Sequence, residues 1–91
     1  MTSEYDKSEV GKRIRLVREA KGMRPTDLAA ALGISPQKLW NYESGTVRIP
    51  PEHAGKLCSE TGVDFDYIYR GMIRDIEPGL KQAILKASRV R

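Results

Sequence analysis

Pro25–Gly45 reads PTDLAAALGISPQKLWNYESG, and the fold turns on this stretch. Its apolar residues Leu28, Ala29, Leu32, Ile34, Leu39 and Tyr42 include two pairs about one helical turn apart, Leu28 with Leu32 and Leu39 with Tyr42. Gly33 lies between the pairs, where a chain leaving a helix commonly needs a left-handed residue. Ser35 then offers an N-cap oxygen, and Pro36 suits the first helical position. The spacing predicts two short helices, about 25–32 and 36–44, joined by a tight turn and stopped by Gly45.

A helix, a glycine-containing turn and a capped second helix make the helix-turn-helix pattern, which puts its second helix in a DNA groove. Composition permits that reading without demanding it. The chain has 91 residues, with 16 Lys plus Arg against 12 Asp plus Glu, a net charge of +4 and a pI of about 9.4. This is one small domain with a tail, and a thin core in which most apolar helix residues are committed to packing. One cysteine cannot close an intrachain disulfide, and with one histidine it makes no metal site by itself. No metal or other cofactor is expected, and a reducing cytoplasm is. The polar opening MTSEYDKSE is no signal peptide, and no apolar run is long enough to span a bilayer.

Outward from the central stretch, residues 1–7 lack apolar periodicity and are expected to form a flexible arm. A first helix opens at Lys7 or Ser8 and runs to about Lys21, with Val10, Ile14, Val17 and Lys21 on one face and Gly22 as its end. Its other faces carry Lys12, Arg13, Arg15 and Arg18, individually a solvated surface and jointly a candidate phosphate patch. Pro51 starts a fourth helix to about Thr61, burying Ala54, Leu57 and Cys58. Asp64 caps a fifth, Phe65 to Arg70, whose Phe65, Ile68 and Tyr69 are expected to close the core. Beyond Gly71, residues 72–91 hold a possible helix at 78–88. Its weak apolar stripe, Leu80, Ile84, Ala87 and Val90, must pack or fray.

Residues 10–71 resemble the lambda-repressor-like helix-turn-helix domain, the Cro/repressor type or XRE family. The match is carried by Gly22, Leu28-Ala29, Leu32-Gly33-Ile34-Ser35, Leu39, Tyr42-Glu43-Ser44-Gly45, Pro50, Leu57, Thr61-Gly62-Val63 and Tyr67-Ile68-Tyr69-Arg70-Gly71. The resemblance implies an all-α, compact five-helix domain over residues 8–71 that binds operator-like double-stranded DNA, usually as a homodimer. Residues 72–91 form a short C-terminal helical extension to it. That extension is assigned to dimerisation, to packing on the fourth and fifth helices, or to a protein partner.

Carried over, Pro36, Gln37, Trp40 and Asn41 take the outward positions of the recognition helix. The residues agree, because inward Leu39 and Tyr42 leave 37, 40 and 41 on the other side. The amides of Gln37 and Asn41 match adenine N6 and N7. Trp40 is expected to be at least partly exposed, since its neighbours already fill the inward face. Lys38, Arg24 and Arg48, with Ser44 and Thr46, are the candidate phosphate contacts. Pro25 stands where the family often has a glutamine, and Pro36 removes a polar base-reader. The resemblance further implies a largely buried salt bridge between Arg18 and Glu43. His53 and Cys58 read as packed helix residues, and Tyr67 and Tyr69 as packing aromatics.

The leading function is a sequence-specific, DNA-binding transcriptional regulator, a repressor in the family's commoner mode, in a bacterial or phage-type cytoplasm. The alternative is an antitoxin-like protein-interaction module that keeps the fold with little or no DNA binding. An enzyme is the poorest reading. The sequence offers no Ser/His/Asp or Cys/His set, no phosphate loop and no metal cluster.

Overall fold

A computed structural model describes residues 6–90. The arm expected over residues 1–7 therefore lies mostly outside the described residues, and its described part, Asp6 and Lys7, caps and opens a helix. The elements in chain order are α1 (Lys7–Ala20), α2 (Pro25–Leu32), α3 (Pro36–Glu43), α4 (Pro51–Thr61), a π-helical turn (Asp66–Arg70) and α5 (Pro78–Val90). Among the described residues there is no strand, and the architecture is all-α.

Local chemistry sets the boundaries. The Asp6 carboxylate accepts from the Ser8 N–H at 2.7 Å and caps α1. Gly33 closes α2 at φ +71°, a backbone state that costs a side-chain-bearing residue roughly 1–2 kcal/mol. The Ser35 hydroxyl accepts from the Lys38 N–H at 3.1 Å, so α3 starts one residue after its cap with Pro36 at the first position. Pro51 likewise takes the first position of α4, but its N-cap Pro50 has no side-chain bond to offer. The segment expected as a fifth helix is wound more widely, as a π turn, with the Asp64 carboxylate accepting from Tyr67 N–H at its start.

Val10, Ile14 and Val17 of α1 meet Leu28 and Leu32 of α2, Leu39 and Tyr42 of α3, Leu57 of α4 and Ile68 in one buried cluster. The aromatic contribution differs from expectation. Tyr67, not Phe65, is buried; its hydroxyl donates to the Arg13 carbonyl at 2.9 Å, while Phe65 lies outside the core edge-on to Tyr69. Tyr67, Ile68 and Tyr69 pack as read from the sequence; Phe65, which precedes the π winding, is the residue that straight helical spacing misplaced. Ile49, read from sequence as part of a loop, is fully buried, and its carbonyl accepts from the Tyr69 hydroxyl at 2.7 Å. Lys21, placed on the apolar face by periodicity, lies past the end of α1 and is exposed.

The helix of the extension ends at Val90 rather than at 88, and its main packing is along α1. α5 packs along α1, with Ile84 and the preceding Ile76 buried and Leu80 half-buried. Ile84 of its apolar stripe is buried in this packing, while Leu80 also reaches the end of α4, its Cδ2 3.5 Å from where a Cβ on Gly62 would stand. Glu77 holds its N-terminus, accepting from Gly79 N–H at 2.8 Å and Leu80 N–H at 2.9 Å. Those two bonds keep the Glu77 carboxyl below its ordinary range. A depressed folded-state value means the contribution is complete above the unfolded glutamate range, about 4.3, and is lost as pH falls through the lower folded value. Acidification should therefore lower the hydrogen-exchange protection factors of Gly79 and Leu80, taken relative to the intrinsic rate at each pH, ahead of those of the α1 amides. In Glu77→Gln that acid step should vanish; its persistence would assign the step to another group.

Candidate nucleic-acid interface

The position of α3 is set by one ion pair and two buried side chains. Arg18 of α1 grips Glu43 with two bonds, Nε to Oε2 at 2.8 Å and Nη2 to Oε1 at 3.0 Å. Its Nη1 donates to the Met23 carbonyl at 3.1 Å, so one guanidinium joins α1, the turn before α2 and the end of α3. Both side chains are about nine-tenths buried, at 11% and 10% exposure. The bond to Glu43 raises the Arg18 pKa further, and the guanidinium stays charged throughout the folded range. Leu39 and Tyr42 fix the helix from its inner face, and the Tyr42 hydroxyl is 2.8 Å from His53 Nδ1 of α4.

With those residues inward, Pro36, Gln37, Lys38 and Trp40 are exposed and Asn41 is half-buried. Trp40 shows 60% of its surface, which removes it from the core. Gln37 Nε2 donates to Asn41 Oδ1 at 3.3 Å, one turn along the same face. The two amides therefore form a linked pair that leaves the Gln37 oxygen and the Asn41 nitrogen without a bond to each other. At the end of α3 the Asn41 carbonyl accepts from Thr46 N–H and Val47 N–H, and the Ser44 and Thr46 hydroxyls bond each other at 3.0 Å. Both hydroxyl residues remain exposed beside Arg48.

The cations are not equivalent. Lys38 is exposed at the flank of α3. Arg24 is also exposed, but it forks onto Asp27 through Nε and Nη2, both at 3.1 Å, and the Asp27 carboxyl is held below its usual range by that side-chain bond. Its charge is thus partly answered within α2. The four basic residues of α1 do not form one free patch: Arg13 lies apart from 12, 15 and 18 around the helix, and partners within the fold answer most of the set. Arg18 is buried on Glu43, Arg13 donates to the Ile68 carbonyl at 3.2 Å, and Lys12 pairs with Glu9 at 3.1 Å. Arg15 lines the groove beside α3 together with Arg18, whose charge Glu43 answers. That groove, about 420 Å³, runs between Arg15, Pro25, Pro36, Gln37 and Trp40 above the Arg18–Glu43 pair. Sequence reasoning named Arg15 only as one of a basic set; its spacing of three from Arg18 was the available signal.

The remaining reactive residues serve packing. Cys58 is half-buried, and burial first, then the Asp64 charge, pushes its thiol up, away from the nucleophilic form. Burial likewise raises the Tyr67 phenol. Among the described residues no group of His, Cys, Asp and Glu could hold a metal ion, and no helix is long and apolar enough to cross a membrane.

A family model described as a helix-turn-helix domain matches residues 9–66, well over half of the chain. The chain belongs to the helix-turn-helix domain family. No curated protein and no solved structure matches it. Domains of this family bind DNA, and such binding generally serves transcription regulation. The helix-turn-helix match takes in α1 through α4 and ends as the π turn begins, leaving α5 outside it. Within the helix-turn-helix domain, α2 and α3 are the helix pair of the motif.

Proposed function

We propose that the protein is a sequence-specific transcriptional regulator of the lambda-repressor-like, Cro/repressor subtype, binding operator half-sites as a homodimer and acting by repression in a bacterial or phage-type cytoplasm. The observation that supports it is the division of α3: Leu39, Tyr42 and Glu43 hold the helix, while the Gln37–Asn41 amide pair and Trp40 face outward together. In this reading the amide pair and the Trp40 ring read base edges, the ring against thymine methyl groups. Pro36 abuts the groove floor without a polar contact of its own. Lys38, Arg48 and the Ser44 and Thr46 hydroxyls hold phosphates and fix register.

Selection of bound sites from a random duplex pool tests this reading. It should recover two related half-sites centred about 34–36 Å apart. Gln37→Ala should relax preference at a particular base pair by about 1–3 kcal/mol, whereas Lys38→Ala should weaken all sequences alike. Unchanged site preference in Gln37→Ala would remove that residue from the reading surface.

One observation favours a second reading, a protein-binding module that kept the fold. Exposed Trp40 sits beside Pro25 and Pro36, where proline offers DNA no N–H donor. A mobility shift on random duplex at two salt concentrations separates the two. Binding that falls steeply with salt favours DNA, and no binding at low salt favours the protein partner.

A further inference from the structure

Arg15 is the basic residue that the fold leaves unanswered. It is half-buried on α1, yet among the described residues it has no hydrogen-bond or ion-pair partner. The nearby carboxylates are engaged elsewhere: Glu43 takes both of its bonds from Arg18, Glu9 pairs with Lys12, and the Glu19 charge, one turn along α1, acts on Arg18. On one side Arg15 lines the groove shared with Gln37 and Trp40. On the other it lines a second, smaller cleft between α1 and α5, together with Lys12, Leu16 and Ser88. One guanidinium therefore joins the exposed face of α3 to the C-terminal end of α5. A planar, weakly hydrated cation held at the rim of an exposed recognition helix suits a phosphodiester oxygen.

We infer that Arg15 contacts the DNA backbone, and that the phosphate-facing surface continues from α3 across α1 to the Lys12 and Ser88 border of α5. The inference rests on the DNA-binding reading and extends it to an element outside the family match. Arg24 is the weaker anchor of the two, since Asp27 already occupies its fork. The α1–α5 packing then has a consequence for binding. It places the end of α5 beside the strand that flanks the major groove, where a negative charge would repel it.

The test uses the full chain and a duplex carrying its selected site, with affinity measured across a salt series. Arg15→Gln should reduce the magnitude of the log–log salt slope by about 0.9, the value for one phosphate contact. Lys56→Gln, the same charge change on α4, should leave the slope unchanged. Ser88→Asp, at an exposed position, should weaken binding several-fold at low salt, while Ser59→Asp on α4 should not. Identical slopes for Arg15→Gln and Lys56→Gln overturn the Arg15 contact. Equal affinity of Ser88→Asp and wild type overturns its continuation to α5. Failure of the wild-type chain to bind any duplex, in contrast, overturns the DNA reading itself. Circular dichroism melts matching wild type for each variant separate a lost contact from a lost fold.

Discussion

Glu43→Ala should lower the stability of the domain by about 3–5 kcal/mol, a large share of what a domain of this size possesses. The reason lies in what stays behind. Arg18 keeps its charge on a side chain that is 11% exposed in the wild-type fold, and it retains the Met23 carbonyl and the Glu19 charge but no carboxylate bonded to its fork. The wild-type pair is itself worth little more than an apolar replacement, because desolvation offsets most of its attraction. Removing both partners, as in Arg18→Met with Glu43→Leu, should therefore recover much of the loss. Urea denaturation of the three variants checks both statements. A Glu43→Ala midpoint equal to wild type would mean that the pair does not anchor α3.

Gly11→Ala should also destabilise, by about 1–3 kcal/mol, against the direction that helix propensity predicts. In an exposed helix, alanine for glycine is favourable by about 0.8–1.0 kcal/mol. At position 11 an added Cβ would lie 2.5 Å from the carbonyl oxygens of both Tyr42 and Glu43. These are backbone atoms at the end of α3, so relief requires moving α1 away from α3, next to the Arg18–Glu43 bonds. Gly55→Ala is the matched comparison. There the new Cβ would meet only the Phe65 ring edge at 3.9 Å, an ordinary contact, and propensity should win. The two substitutions should shift the denaturation midpoint in opposite directions. A stabilised Gly11→Ala would show that the α1–α3 approach relaxes easily.

Much of the fold was legible because its punctuation is local. Gly33, the Ser35-Pro36 start of α3, Pro51 and Gly62 each act within one helical turn, and the boundaries of α2 and α4 follow from them. Leu28, Leu32, Leu39 and Leu57 are buried for the same reason, since period and apolarity agree at those positions. The segment from Phe65 to Arg70 was read less well. Tyr67 packs as expected, but the π winding departs from the 3.6-residue period and Phe65, expected in the core, is exposed. Ile49 and Ile76 carry no helical period at all and are buried by contacts made from distant elements. The outward face of α3 was legible by subtraction, once Leu39 and Tyr42 were taken as inward. The state of each cation was not, because a lysine or arginine in sequence does not reveal its carboxylate.

The sequence by itself determined where the helices start and stop and which face of α3 is turned out, because capping and amphipathic spacing are short-range effects. Tertiary structure alone decided the rest. It gave α5 its seat on α1, made Gly11 a close-approach residue within a helix, and divided the arginines into buried, paired and available ones. Each of those outcomes depends on which atoms from remote parts of the chain arrive within bonding distance, and no local pattern contains that information.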